Sequence, residues 1–84
     1  MATGLQPTSA EHRAEIEAYL GPNGIPNNLV AASVDLFCRK INNAAVRGYV
    51  AALRAADPEV EFTREHLRQV LLRCSVSDIH TVGL

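Results

Sequence analysis

The stretch from Leu29 to Ala56 constrains the fold more than any other part of the chain. It holds no proline and a single glycine, Gly48. Large apolar residues recur in it at intervals of three and four positions, and this periodicity is typical of amphipathic helices rather than strands. They are Val30, Val34, Phe37, Cys38, Ile41, Val46, Tyr49, Val50 and Leu53. The sequence therefore predicts an all-α fold, a compact bundle of four to five short helices.

Composition narrows the class of protein. The 84 residues predict one helical domain over 1–84, with 1–7 as a flexible tail, and an apolar fraction of 48% is too high for a disordered chain. No apolar run approaches the roughly 20 residues of a membrane span. Because Met1–Gln6 also lacks the basic start and apolar run of a signal peptide, we expect a cytoplasmic protein without a membrane partner.

The first helix is predicted over 9–20. Thr8 and Glu11 have the spacing of a capping box, in which each side chain accepts from the backbone amide of the other. Gly21 suits the left-handed conformation that often ends a helix, and Pro22 prevents continuation. The following segment, 21–28, is dense in glycine, proline and asparagine, and we interpret it as a connecting loop.

The pair Asn42-Asn43 decides the shape of the central stretch. Asparagine is a mediocre helix former and a good N-cap. We therefore expect a helix over 29–41, a break, and a second helix over 44–56 capped by Asn43. A single continuous helix of about 40 Å, at 1.5 Å per residue, stays open as the alternative.

Two shorter helices are predicted in the C-terminal part. Thr63 caps a helix over 64–74, and Phe62 with Leu67 forms a hydrophobic staple at its start. Ser75 caps a last helix over 76–82, with Asp78 near its positive end. Val76 and Ile79 are expected to pack inward.

No constellation in the sequence predicts catalysis, a cofactor or a metal site. A helix-borne metal site needs ligands three or four positions apart, and no pair of the available histidines and cysteines has that spacing. These residues are His12, His66, His80, Cys38 and Cys74. The cysteines are interpreted as reduced, buried thiols. The cluster of Ser75, Ser77, Asp78 and His80 is interpreted as a helix cap rather than a catalytic triad. We therefore expect a protein that is not an enzyme.

The distribution of charge is more informative than the net charge of −1. No acidic residue lies between Leu36 and Ala56, although four basic ones do, and the next helix adds three more. These seven candidate partner-binding residues are Arg39, Lys40, Arg47, Arg54, Arg64, Arg68 and Arg73. Acidic residues concentrate elsewhere, at Glu11, Glu15, Glu17, Asp57, Glu59 and Glu61. Such a bipolar surface favours binding to a protein partner, to a second copy in a homo-oligomer, or to both.

The alternative is a small DNA-binding regulator. The segment 63–82 predicts a helix, a short turn and a short helix, as in a helix-turn-helix. A recognition helix usually carries arginine, glutamine or asparagine, whereas this one offers Ser77, Asp78 and His80. The domain is not basic overall, so nucleic acid is the weaker of the two predictions.

Residues 28–58 resemble bacterial effector-associated domains, which are small helical adaptors with a death-fold-like architecture. The resemblance lies in Asn28-Leu29 at the helix start, two apolar sets, and Ala55-Ala56-Asp57-Pro58 at the close. The apolar sets are Val34, Leu36 and Phe37, then Val46, Tyr49 and Val50. Asn42-Asn43-Ala44-Ala45 stands where that family usually has an Arg-Gly turn. The resemblance implies an adaptor that recruits or clusters effector proteins through helical contacts, without catalysis. A small inhibitor that blocks a larger complex belongs to the same functional class and stays open.

Overall fold

The computed structural model describes residues 9–83 and shows an all-α bundle, which confirms the predicted fold class. A single 3₁₀ turn precedes the second helix. The helices are α1 (Ala10–Leu20), α2 (Val30–Lys40), α3 (Ala44–Ala56), α4 (Arg64–Leu72) and α5 (Val76–Thr81), and the 3₁₀ turn is Asn27–Leu29. The predicted tail at 1–7 and the predicted cap Thr8 lie outside the described residues.

Helix α4 occupies the centre of the bundle and packs against α1, α2 and α3. Its apolar face is Leu67, Val70 and Leu71, and all three side chains are fully buried. Facing them are Ile16 and Leu20 of α1 together with the buried faces of α2 and α3. Burial of apolar surface stabilises a fold by roughly 25 cal/mol per Å². This shared core therefore makes the main contribution to the free energy of folding.

The start and end of α1 differ from the prediction. Ser9 is the N-cap, and its hydroxyl accepts from the His12 amide at 3.1 Å. Gly21 is extended, with φ −67° and ψ 179°, so the predicted left-handed conformation is wrong. The reason is that the loop itself supplies the donors that the last carbonyls of α1 need. The Gly21 amide donates to Ala18, and the Ile25 amide donates to the Tyr19 carbonyl at 2.8 Å.

The predicted break at Asn42-Asn43 is confirmed, and the alternative of one continuous helix is wrong. Helix α2 ends at Lys40, and Ile41 is extended at φ −102° and ψ 122°. The Asn43 side-chain oxygen then accepts from the amides of Ala45 and Val46, as an N-cap does. The short connection makes α2 and α3 packed neighbours.

The C-terminal helices are shorter than predicted. Helix α4 ends at Leu72 rather than Cys74, and α5 at Thr81 rather than Val82. Thr63 and Ser75 cap them as predicted, and both caps are reciprocal capping boxes. Phe62 and Leu67 are both buried in the core.

The prediction that Val76 packs inward is wrong, whereas Ile79 is buried. Val76 is 50% exposed and Ile79 only 3%. The Asp78 carboxylate accepts a hydrogen bond from Asn43 at the start of α3, whereas Ile79 and Val82 pack in the core. These three residues therefore define the inner side of α5. Val76 lies roughly 110° around the helix from the centre of that side, at 3.6 residues per turn. It therefore projects into solvent.

Candidate protein-interaction surface

Three of the seven candidate partner-binding residues lie where α2 passes into α3 and have no partner within residues 9–83. Arg39 and Lys40 lie in the last turn of α2, and Arg47 is the fourth residue of α3. All three are exposed, and within residues 9–83 none of their side chains makes an ion pair or a hydrogen bond. We call Arg39, Lys40 and Arg47 the basic end.

The helix dipoles explain only part of this group. Arg39 and Lys40 lie at the negative C-terminus of α2, where basic side chains are stabilising. Arg47 lies near the positive N-terminus of α3, where a cation is disfavoured. Local stability therefore does not account for Arg47.

The other four basic residues are engaged within the chain. Arg68 bonds Glu17 of α1 at 2.9 Å and also pairs with Glu65. A surface ion pair therefore joins α1 to α4 within the same chain. Arg54 pairs with Asp35 of α2 and lies 5.3 Å from the centroid of the Phe62 ring.

Arg64 and Arg73 are held by backbone and aromatic groups. The Arg64 guanidinium donates to the Ile25 carbonyl and ties α4 to the loop after α1. Arg73 donates to the Gln69 carbonyl at 2.9 Å and lies over the Tyr49 ring at 4.2 Å. Through these contacts Arg64 and Arg73 stabilise the bundle. The seven candidates thus divide into three available cations and four that brace the bundle.

Asn43 fixes the position of the basic end. Its side-chain oxygen caps α3, and its side-chain amide donates to the Arg73 carbonyl at 2.9 Å and to the Asp78 carboxylate at 2.8 Å. The same carboxylate accepts from the Ser75 amide at 2.9 Å. One side chain thereby joins the start of α3 to the junction of α4 and α5.

These contacts change the acidity of Asp78. Burial by itself raises the pKa of the Asp78 carboxyl, but hydrogen bonds from the Ser75 amide and the Asn43 side chain outweigh it. The net result is a pKa below the ordinary value of 3.8. The folded protein therefore holds this carboxylate ionised more strongly than the unfolded chain does.

We predict that Asp78 contributes to acid sensitivity. Because its pKa is lowered by folding, its contribution to the free energy of unfolding is complete above the ordinary pKa and is lost as the pH falls through the folded pKa. The Asp78→Asn variant should lose less stability than the wild type between about pH 5 and pH 2. Urea unfolding followed by circular dichroism at several pH values measures this. Glu17 and Glu65 also have lowered pKa values, so a smaller decline should remain. Parallel curves for the two proteins would contradict the assignment.

An acidic group and a cleft lie at the opposite end of α3. Asp57, Glu59 and Glu61 follow that helix, are exposed, and make no ion pair within residues 9–83. We call these three residues the acidic end. Beside them is an open cleft of about 490 Å³, whose lining is mostly polar and whose two apolar side chains are largely buried. It is lined by Asn27, Val30, Glu61, Phe62, Thr63 and Arg64.

The residues considered for catalysis and metal binding form helix caps, lie in the core or are exposed singly on the surface. Ser75 and Asp78 bond each other as a cap, and His80 is exposed on the last helix. Burial, with a smaller effect of Asp78, raises the pKa of the Cys74 thiol to about 12, so at neutral pH it is a poor nucleophile. Both cysteines are free, and no group of three potential ligands converges within residues 9–83. His12 is buried on α1, and its Nε2 has no hydrogen-bond partner among these residues.

Three features of this surface could not be predicted from the sequence patterns. Asp35 lies just before the acid-free segment, and its pairing with Arg54 depends on how α2 packs on α3. The stacking of Arg73 on Tyr49 and the cleft both depend on tertiary packing. The role of Asn43 could have been predicted in part. An asparagine at a predicted helix break can cap the next helix with its side-chain oxygen and still donate hydrogen bonds from its amide group.

No family model, curated protein or solved structure matches this chain. Within residues 9–83, every helix is too short or too polar to cross a bilayer.

Proposed function

We propose that this chain is a non-catalytic protein–protein interaction module, an adaptor or a small inhibitor, that binds an acidic protein surface through its basic end in the cytoplasm. The observation that carries the proposal is that, among residues 9–83, Arg39, Lys40 and Arg47 have no ion-pair or hydrogen-bond partner, whereas the other four candidate arginines are all engaged. Arg47 is distinguished from Arg13, which holds the equivalent position in α1, by sharing the α2–α3 junction with Arg39 and Lys40.

The surroundings of the basic end favour a protein over a small ligand. Val76 is exposed at 50% in the junction that Asn43 holds against the start of α3. Protein interfaces combine arginine with a few apolar contacts and a charged rim. The resemblance of residues 28–58 to effector-associated adaptors agrees with this function.

A pair of matched variants tests the proposal. Arg47 and Arg13 are both exposed, and each is the fourth residue of its helix. Their amides donate to the N-cap carbonyls at 3.0 and 2.9 Å. Arg47→Glu and Arg13→Glu therefore change the net charge equally, at equivalent helical positions, and neither removes an ion pair seen within residues 9–83.

The measurement is capture from an extract of the organism that encodes the chain, with quantitative mass spectrometry. We expect a protein that is retained by the wild type and by Arg13→Glu, and that is reduced roughly ten-fold or more by Arg47→Glu. Retention should weaken with salt and survive nuclease treatment. Equal capture by both variants would overturn the assignment of the surface. Loss of capture after nuclease treatment, with binding to a 20-base-pair duplex, would replace it with the DNA-binding alternative.

A further inference from the structure

We propose that His66 makes the start of α4 a pH-dependent conformational switch, in which a neutral ring closes the capping box with Thr63 and a protonated ring leaves it for a nearby carboxylate. The observation behind the proposal is the residue type. Histidine holds the position in this box that glutamate or glutamine normally holds. A glutamate or glutamine oxygen accepts hydrogen bonds throughout the neutral pH range, whereas a histidine nitrogen accepts only while it is unprotonated.

The geometry of the box defines the closed state. The Thr63 amide donates to Nδ1 of His66 at 3.0 Å, and the His66 amide donates to the Thr63 hydroxyl oxygen at 3.3 Å. Because Nδ1 is an acceptor, the ring in this conformation is neutral and carries its single hydrogen on Nε2. The Phe62 ring lies perpendicular to it, with the two centroids 5.8 Å apart and the planes at 87°.

Protonation removes the acceptor on which the closed state depends. A second proton on the ring occupies Nδ1, which then presents a donor to the donating Thr63 amide, and this bond is lost. The new charge also lies in the first turn of α4, where the helix dipole disfavours a cation. Since Phe62 and Thr63 both line the cleft, release of the ring changes one wall of it.

Carboxylates near the box give the protonated ring another partner. Glu65 is its exposed neighbour in α4, and the pKa of the Glu65 carboxyl is lowered first by a hydrogen bond from Gln69, then by Arg68 and by His66. Glu59 and Glu61 of the acidic end lie in the segment that leads into α4. Protonation therefore exchanges one contact for another and does not unfold the helix.

The cations near the start of α4 are already engaged. Arg54 of α3 lies on the Phe62 ring and pairs with Asp35 of α2. Arg68 pairs with a carboxylate of α1 and with one of its own helix, and Arg64 donates to a carbonyl of the loop after α1. Their charges are offset, so the carboxylates of the acidic end and of α4 determine where a positive ring moves.

Two variants separate His66 from the other titrating groups. His66→Gln keeps a reciprocal capping box, but its acceptor does not titrate near neutral pH. His80→Gln is the matched control, because His80 is an exposed histidine on α5 and takes no part in this box. Circular dichroism across the pH range checks that all three proteins keep their helices.

The measurement is nuclear magnetic resonance on the full chain from about pH 8 to about pH 5. Long-range proton–nitrogen correlations assign the ring hydrogens, and the Thr63 amide reports its own bond. We expect a neutral His66 ring with its hydrogen on Nε2, and a Thr63 amide shift whose midpoint equals that of the ring. Protection of this amide from exchange should fall roughly three- to ten-fold across the midpoint. His80→Gln should behave as the wild type does, and His66→Gln should show no transition at Thr63.

Four outcomes would overturn the proposal. They are a neutral ring with its hydrogen on Nδ1, a Thr63 amide that does not follow the ring, the same transition in His66→Gln, and loss of helicity over the same pH range. The third would assign the transition to the carboxylates. The proposed function would stand in each case, because the basic end lies at the start of α3, whereas Thr63 and His66 follow its end.

Discussion

Replacing Gly24 with alanine is expected to destabilise the fold by about 3 kcal/mol, because the loop after α1 has no room for a side chain there. A Cβ at this position would lie 1.8 Å from the Tyr19 carbonyl oxygen and 2.9 Å from that of Ala18. Both are backbone atoms, so no side-chain rotation can relieve the overlap. The loop would have to move away, which breaks the bond from the Ile25 amide to Tyr19 and draws Ile25 out of the core.

Gly48→Ala is the matched control. Nothing lies within 4 Å of a Cβ at Gly48, which is in the interior of α3. Alanine should therefore stabilise the protein there by about 0.5 to 1 kcal/mol, since glycine is the poorer helix former. Thermal unfolding should show a decrease of roughly 10 to 20 °C for Gly24→Ala and an increase of a few degrees for Gly48→Ala. A Gly24→Ala protein with the stability of the wild type would show that the loop does not pack against α1 as described.

The contrast between these glycines marks the limit of what the sequence could predict. Apolar periodicity located the five α-helices of residues 9–83, and capping residues located the starts of α3, α4 and α5, because both signals act within a few neighbouring positions. The conformation of Gly21 and the close approach at Gly24 depend on where the loop meets the end of α1. A run of glycine, proline and asparagine predicts a loop but not its path.

The same distinction applies to the candidate surface. The seven candidate basic residues stand out as a charge pattern, yet among them only Arg39, Lys40 and Arg47 lack an ion pair or hydrogen bond within residues 9–83. Arg68 meets Glu17 across 51 positions of sequence, and Arg64 meets Ile25 across 39. Such pairings follow from the packing of α1 on α4, which a charge pattern along the chain does not specify. When the four engaged arginines are set aside, the candidate surface is reduced to the basic end, on either side of Asn43 in the chain.

Asn43 is the residue on which that junction depends, and Asn43→Ala is expected to destabilise the protein by about 2 to 3 kcal/mol. Loss of the N-cap of α3 accounts for about 1 kcal/mol. The remainder comes from the Asp78 carboxylate and the Arg73 carbonyl, which lose the amide that bonds them at 2.8 and 2.9 Å. Urea unfolding at neutral pH measures the change.

Two further variants separate these contributions. Asn42→Ala removes the neighbouring asparagine, which is exposed and outside the cap, and should change stability by less than about 0.5 kcal/mol. Asn43→Ser keeps an oxygen that can cap α3 but lacks the amide donors, so it should recover about 1 kcal/mol of the loss. If Asn43→Ser were as stable as the wild type, the bonds to Arg73 and Asp78 would contribute nothing. If it were no better than alanine, the cap would not matter. An intermediate value means that one side chain both begins α3 and holds α5 beside the basic end.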